Sequence, residues 1–245
     1  MNSRTQLRAI LFDLDDTLLS NDMDTFLPHY LKLISAYARD TYDPAQLVQD
    51  LLVATQVMMD DSDPTVSNED AFWDRFSQLT GFDRAEMIPF FTRFYLTRFD
   101  DLQKVVECRP ESRLLVEWAL RQGYSTVIAT NPMFPRVAVD RRLAWAGVDD
   151  FDYALVTSYE NMHFTKPNPE YYREILAILN CHPAEALMVG DDWERDMIPA
   201  AQVGIKTFWI APVEQARPDP TVPITMQGTL ADLWAHCQDG WLGDR

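Results

Sequence analysis

The residues of this sequence that could do chemistry follow short apolar runs. They are Asp13, Asp15, Thr130, Asn131, Asp191 and Asp192. Lys166 begins a Lys-Pro-Asn-Pro segment between the second and third of these runs. A carboxylate can attack phosphorus as a nucleophile, and fixed hydrogen-bond donors and a cation stabilise phosphoryl oxygens. The set of residue types therefore indicates phosphoryl-transfer chemistry.

The elements that would position these residues alternate between strands and helices. Predicted strands cover 9–12, 125–129, 153–156, 186–189 and 207–210. Predicted helices cover 111–121, 136–146, 169–179 and 230–237, and a further helix ends at Gly204. This alternation predicts an α/β fold with a Rossmann-like parallel sheet covered by helices on both faces. Ligands bind such sheets beyond the carboxyl ends of the strands, so we expect the polar residues to meet at one edge.

The stretch from about Asp24 to Glu107 interrupts the alternation, because its apolar residues recur at a helical period without intervening strands. We therefore predict two domains. Residues 1–20 and 108–245 would form the α/β core, and residues 21–107 would form an inserted α-helical cap domain. We expect the aromatic residues near the end of the insertion to pack in its interior: Phe90, Phe91, Phe94, Tyr95 and Phe99.

The Asp-x-Asp spacing alone is a weak signal, because Asp accounts for 27 of the 38 acidic residues. The chain contains its own control for this pattern at Asp61, Asp63 and Thr65. No apolar strand precedes that second match, so we expect a solvated acidic loop there. The first match differs because a strand precedes it and the later threonine, lysine and Gly-Asp-Asp groups follow in order.

These four groups resemble the sequence motifs of the haloacid dehalogenase superfamily of hydrolases. The resembling segments are Asp13-Leu14-Asp15-Asp16-Thr17, Thr130 at a strand end, Lys166 before Pro167, and the acidic segment Gly190-Asp191-Asp192-Trp193-Glu194-Arg195-Asp196. The resemblance covers nearly the whole chain, and the inserted helices stand where this superfamily carries a small helical cap. It implies the same fold and a phosphatase-like hydrolase.

The resemblance also implies roles for individual residues. Asp13 would be the nucleophile and form an aspartyl-phosphate, and Lys166 would steady the Asp13 carboxylate and the phosphoryl oxygens. Asp15 would donate a proton to the leaving group and then activate water. Carboxylates beside Asp15 would allow it to carry that proton part of the time. Thr130 and Asn131 would donate hydrogen bonds to the phosphoryl group.

Clustered carboxylates call for a cation, and oxygen ligands suit Mg²⁺. The resemblance implies that Asp13, the backbone carbonyl of Asp15, and Asp191 hold the metal. Asp196 would order the surrounding residues or orient Lys166, and Asp192 is the weaker alternative for that supporting position. Asp191 and Asp192 could instead simply cap the following helix.

Composition limits the partners and the location. Apolar residues make up 47% of the 245-residue chain, enough for a large buried core, and no apolar run is long enough for a membrane helix. The net charge of −17 disfavours nucleic acid and anionic lipid. We expect a cytoplasmic protein for two reasons. The first eight residues are polar and lack the apolar segment of a secretory signal, and the three widely spaced cysteines are typical of reduced thiols. A small phosphorylated metabolite is the expected partner, and no partner protein is implied.

Several alternatives stay open within the resemblance. A dehalogenase needs no acid two residues after its nucleophile, so Asp15 disfavours that reaction. A phosphonate-cleaving enzyme would need a cap lysine, for which Lys32 and Lys104 are available. A sugar phosphomutase keeps both aspartates and differs mainly in the cap. The alternative that is not an enzyme is a non-catalytic binding protein on the same fold.

Overall fold

A computed structural model describes residues 6–240 of the chain. Residues 1–5 and 241–245 lie outside the described residues. They include five of the first eight residues, and they are the N-terminal and C-terminal ends of the predicted α/β core.

The described part of the chain contains eight β-strands. They are β1 (Ala9–Phe12), β2 (Leu19–Ser20), β3 (Glu107–Cys108), β4 (Ser125–Ile128), β5 (Leu155–Val156), β6 (Ala186–Gly190), β7 (Lys206–Ile210) and β8 (Met226–Gly228). Six of them form one parallel sheet in the order β5-β4-β1-β6-β7-β8. The parallel sheet predicted from the sequence is therefore confirmed.

Helices cover both faces of this sheet. The α-helices are α1 (Met23–Ala38), α2 (Pro44–Asp60), α3 (Asn68–Thr80), α4 (Arg84–Thr97), α5 (Pro110–Arg121), α6 (Arg136–Trp145), α7 (Pro169–Ile178), α8 (Ile198–Gln202) and α9 (Leu230–Gln238). Successive side chains of β1 enter different apolar clusters, because side chains alternate across a strand. Ile10 and Phe12 pack in the cluster with α5, α6 and α9, whereas Ala9 and Leu11 pack in the cluster with α7 and α8.

Four helices, α1 to α4, and a 3₁₀-helix at Phe99–Val105 lie between β2 and β3. Each α-helix begins at a side chain that accepts hydrogen bonds from the first turn: Asp22, Asp43, Ser67 and Asp83. The segment starts and ends at one place, because β2 pairs antiparallel with β3. The helical stretch ends slightly before Glu107, where it was predicted to end, because Glu107 belongs to β3.

Some boundaries differ from those predicted. β5 has two residues rather than four, and β8 has no counterpart among the strands expected from the sequence. The helix expected to end at Gly204 consists of one π-helical turn, Trp193–Met197, followed by α8. β8 is an edge strand of three residues, which is too short to show an alternating pattern in the sequence.

Candidate active site

The carboxyl ends of the three central strands converge, because β1 lies between β4 and β6. Asp13 follows β1, Thr130 follows β4 by two residues, and Asp191 follows β6 directly. All eight residues singled out in the sequence border one cavity of about 530 Å³ between this edge and helices α1 to α4: Asp13, Asp15, Thr130, Asn131, Lys166, Asp191, Asp192 and Asp196.

Asp13, Lys166 and Asp196 form a buried hydrogen-bonded group at the base of the cavity. The Lys166 ammonium donates to Asp13 Oδ1 at 2.7 Å and to Asp196 Oδ1 at 2.6 Å. The backbone fixes Asp13, because its N–H donates to the Val189 carbonyl on β6 at 2.9 Å. With its side chain only 2% exposed, Lys166 is a fixed cation directed at two carboxylates.

Burial controls the pKa values of this group. It raises the pKa of Asp13 well above its usual range, an effect that Lys166 partly opposes and that Asp196 and Asp191 add to. The pKa of Asp196 is raised for the same first reason. Burial alone would lower the pKa of Lys166, but the charges of Asp13 and Asp196 outweigh it and the pKa rises. Burial and the Asp196 charge raise the pKa of Asp191 to about 7.

The residues present fit a divalent cation. One carboxylate oxygen from each of Asp13, Asp191 and Asp196 lies within 4.8 Å of the other two. When all three carboxyls are ionised, the single charge of Lys166 leaves two negative charges that a divalent ion would balance. Oxygen donors of this kind suit Mg²⁺ or a similar hard cation. The Asp15 side chain is not part of this cluster of described residues.

Gly190 allows Asp196 to approach the end of β6. A Cβ atom at position 190 would stand 2.2 Å from Asp196 Oδ2, which no side chain can tolerate. The same oxygen accepts a hydrogen bond from the Asp192 N–H at 3.2 Å. The side chain of Asp192 caps the π-helical turn by accepting from the Glu194 and Arg195 N–H groups. Asp192 thus has the capping role weighed above, and Asp196 rather than Asp192 contacts Lys166.

The loop after β4 supplies uncharged groups. Thr130 is buried, and its carbonyl accepts hydrogen bonds from Thr157 Oγ1 at 2.7 Å and from the Tyr171 hydroxyl at 2.9 Å. Asn131 Oδ1 accepts from the Lys166 backbone N–H at 3.1 Å. Asn131 therefore fixes the segment that carries the lysine.

The Asp15 side chain pairs with a cation, although the carboxylates of Asp13 and Asp16 also lie close enough to interact with its charge. Its Oδ2 accepts a short hydrogen bond from Arg142 Nη1, and its Oδ1 accepts from Asn21 Nδ2 at 2.5 Å. Arg142 is 1% exposed, and its guanidinium lies 4.8 Å from the centre of the Phe134 ring. The partners of Asp15 thus come from α6 and from the residue that follows β2.

Arg142 is a buried cation of the site that the sequence did not reveal. It lies inside α6, 127 residues from Asp15, and no local motif marks it. A weak signal exists, since an arginine within the apolar segment of a core helix needs a buried partner. Thr17, in the first motif, links two of the loops at the strand ends. Its hydroxyl donates to Asp191 Oδ1 at 3.0 Å and so holds the end of β6 to the loop after β1.

Two other features of the sequence lie away from the cavity. Asp61 and Asp63, the control match, lie in an exposed loop where Asp63 accepts hydrogen bonds from Thr65. Lys32 and Lys104 are exposed, and neither is among the described residues that border the cavity. The structure therefore offers no support for a cap lysine in the chemistry.

The raised pKa of Asp191 predicts a pH-dependent stability in the absence of metal. With a folded-state pKa of about 7 against an ordinary 3.8, Asp191 stabilises the fold fully below about pH 4 and loses that contribution as the pH rises through 7. Between pH 5 and pH 8 in chelator, the melting temperature of the wild type should fall about 5 °C more than that of Asp191→Asn. Thermal denaturation measures this difference, and equal pH dependence in both proteins would contradict the assignment.

The helices are too short or too polar to cross a bilayer. Between residues 6 and 240, none of them combines the length and the apolar character that crossing a membrane requires.

Several known proteins are similar to this chain. The haloacid dehalogenase-like hydrolase profile matches residues 7–204. The pyrophosphatase PpaX of Bacillus cereus is 27% identical over 202 residues, which is 82% of each chain. The 2-haloacid dehalogenase of Pseudomonas syringae superposes with a TM-score of 0.60 at 20% identity, covering 96% of this chain and 100% of the other. A predicted phosphoglycolate phosphatase of Haemophilus somnus gives 0.55 at 20% identity, covering 94% and 98%.

The profile matches far more than half of the chain, including every strand-end group of the cavity. The two structural likenesses show a shared fold, which agrees with the sheet order described above. The resemblance seen in the sequence is confirmed, and the chain belongs to the haloacid dehalogenase-like hydrolases.

Proposed function

We propose that this hydrolase is a Mg²⁺-dependent phosphatase that acts on a small phosphorylated metabolite through an aspartyl-phosphate at Asp13. The observation that carries the proposal is the group formed by Asp13, Lys166 and Asp196 at the edge of the sheet, beside Asp191. The names of the Bacillus cereus relative and of the Haemophilus somnus neighbour support a phosphorylated substrate.

In the first step, a carboxylate oxygen of Asp13 attacks phosphorus, and the bond between phosphorus and the leaving oxygen breaks. Asp15, once its carboxyl has left the ion pair with Arg142 and taken up a proton, donates that proton to the leaving oxygen, so the product leaves as a neutral hydroxyl. In the second step, water attacks phosphorus and gives its proton to Asp15. The bond between phosphorus and Asp13 then breaks, which restores the carboxylate and releases inorganic phosphate.

Lys166 has two functions in this proposal. It orients the Asp13 carboxylate through the 2.7 Å hydrogen bond, and its charge offsets the negative charge of the phosphoryl oxygens in the transition state. Asp196 holds the ammonium in place from the other side. Thr130 and Asn131 would donate to phosphoryl oxygens, Asn131 through its Nδ2, because its Oδ1 accepts from the Lys166 backbone N–H.

The metal would be held by Asp13, Asp191 and the backbone carbonyl of Asp15, with Asp196 supporting it. When bound, a divalent cation supplies positive charge that allows a carboxylate and a phosphate to approach each other. Asp15 enters this role through its backbone only, because Arg142 and Asn21 take its side chain.

We further propose that residues 21–107 act as a cap domain over the α/β core of residues 1–20 and 108–245. Helices α1 to α4 border the cavity opposite Asp13, so this segment would enclose the substrate and select it. The strong negative charge agrees with a small-molecule partner rather than nucleic acid, and we place the activity in the cytoplasm.

Hydrolysis of p-nitrophenyl phosphate tests the proposal. We expect release of nitrophenolate in Mg²⁺. In chelator the rate should be at least about 100-fold lower, and it should return when Mg²⁺ is added back. Activity that persists in chelator would overturn the metal dependence. A stable phosphorylated enzyme without net release of phosphate would favour the phosphomutase, and no reaction with any phosphate ester would favour the binding protein.

A further inference from the structure

The cavity beside Asp13 has two chemically different walls. The wall formed by the sheet edge carries the carboxylates and Lys166 described above. The opposite wall, formed by helices α1 to α4, consists mainly of hydrophobic side chains. They include Leu27, Leu31, Leu52, Met59, Trp73 and Phe91. We call these six residues the apolar wall.

Most polar atoms of the neighbouring aromatic side chains are already paired with each other. The hydroxyls of Tyr30 and Tyr95 share a hydrogen bond of 2.9 Å, and Trp73 Nε1 donates to the Tyr159 hydroxyl at 3.2 Å. Among the described residues of α1 to α4, Thr55 and Gln56 are the other uncharged polar side chains that border the cavity. A substrate with many hydroxyl groups would therefore find few donors and acceptors on this side, and burying hydroxyls unpaired costs free energy.

The charges around the cavity disfavour a second anionic group on the substrate. Among residues 6–240, the cations that border the cavity are Lys166, Arg142 and Arg195, all from the core. Each is paired with a carboxylate: Lys166 as described, Arg142 with Asp15 and Arg195 with Asp192. Three further charged residues border the cavity before Leu27, the first wall residue in the sequence, and all three are acids: Asp16, Asp22 and Asp24.

Arg142 differs from the other two cations because its Nη2 is buried without a hydrogen-bond partner in the described structure. This nitrogen is therefore a donor near the wall that could receive an anion. Its charge is already balanced by Asp15, however, so a second anion there would leave a buried negative charge uncompensated. A neutral acceptor, such as the leaving oxygen itself, would satisfy Nη2 without that cost.

We propose that the leaving group of the substrate is an uncharged, hydrophobic alcohol or phenol that packs against the apolar wall. This inference rests on the proposed phosphatase function and narrows its substrate class. The phosphoryl group would lie at Asp13, and the organic part would extend toward α1 and α2. Inorganic pyrophosphate and phosphorylated carboxylic acids would then be poor substrates, in contrast to what the names of two relatives indicate for those proteins.

Binding of non-hydrolysable alkylphosphonates tests this proposal without requiring turnover. Calorimetry in Mg²⁺ would compare ethyl-, butyl- and hexylphosphonate with 5-carboxypentylphosphonate, which replaces the end of the hexyl chain by a carboxylate. We expect each methylene to lower the Kd about threefold to fourfold. The carboxylate analogue should bind at least about tenfold more weakly than hexylphosphonate. Equal affinity along the alkyl series, or tighter binding of the carboxylate, would overturn the proposal.

Two exposed leucines of the insertion provide a matched pair of variants. Leu52 is 45% exposed and borders the cavity, whereas Leu96 is 52% exposed and is not among the described residues that border it. Leu52→Glu should weaken hexylphosphonate binding about tenfold, and Leu52→Lys should narrow the gap between the hexyl and carboxylate ligands. Leu96→Glu should leave both affinities unchanged. Equal effects at the two positions would show that the wall does not contact the ligand.

Hydrolysis of the matching phosphate esters separates this proposal from the broader one. If hexylphosphonate binds as expected but no ester is hydrolysed, the phosphatase function fails while the preference of the cavity stands. If p-nitrophenyl phosphate is hydrolysed but 5-carboxypentyl phosphate reacts faster than hexyl phosphate, the phosphatase function stands and the apolar leaving group is wrong.

Discussion

Replacing Asp13 by asparagine should lower kcat at least about 10⁴-fold, because the amide cannot attack phosphorus. No other carboxylate among the described residues both accepts a hydrogen bond from Lys166 and directly follows β1. The amide keeps the size of the side chain and can still accept from Lys166, so the fold should be retained. Steady-state hydrolysis of p-nitrophenyl phosphate measures the loss. Acid-quenched wild-type enzyme should contain a phosphorylated Asp13 peptide that the variant lacks.

The second Asp-x-Asp segment supplies the matched control. Asp63→Asn makes the same chemical change in an exposed loop away from the cavity, where the carboxylate only accepts hydrogen bonds from Thr65. Its activity should equal that of the wild type. If Asp13→Asn retained more than about a tenth of the activity, or if phosphate were found on another residue, Asp13 would not be the nucleophile.

Replacing Asp15 by asparagine should slow alkyl phosphates about 10²- to 10³-fold and activated aryl phosphates by less than about tenfold. The difference arises because an alkoxide needs a proton in order to leave, whereas a nitrophenolate does not. A series of esters with leaving groups of different basicity measures it. A uniform loss across the series would show that Asp15 does not transfer the proton.

Stability must be separated from chemistry in this variant. Asp15→Asn would leave the guanidinium of Arg142 buried without its counter-charge, and an unpaired buried charge costs about 3–5 kcal/mol. The double variant Asp15→Asn with Arg142→Gln removes both charges and should recover much of that stability. If the double variant shows the same dependence on the leaving group as Asp15→Asn, the lost proton transfer and not misfolding explains the slow reaction.

The parts of the site that local sequence could predict are those at strand ends. Asp13, Thr130 and Asp191 each follow an apolar run, and the order of three parallel strands brings them together. Arg142 could not be predicted in this way. It occupies a helix with no motif around it, and its partner Asp15 lies 127 residues away, so only the tertiary fold shows the pair.

The strands of the fold, like the residues of the site, could be predicted only in part. The sheet strands with strong apolar runs, β1, β4, β6 and β7, were found with small errors at their ends, whereas the edge strand β8 and the two-residue strands β2 and β3 were not. The aromatic residues of α4 show the same limit. Phe94 is buried in the helical interior as expected, but Phe91 and Tyr95 also border the cavity. Helical periodicity identifies the inward face of α4 without showing which part of that face meets a ligand.

The pairing of β2 with β3 has a consequence for how such an enzyme can diversify. The backbone enters the helical insertion beside Leu19 and leaves it beside Cys108, and these residues are partners across the two short strands. A segment with adjacent ends can be exchanged for another of different length or sequence while the six-stranded sheet keeps its register. The apolar wall lies wholly within this segment, whereas Asp13 and Lys166 lie outside it. Exchange of the segment between these two points, which are neighbours in the fold though far apart in the chain, would change the wall and leave the inherited reaction intact.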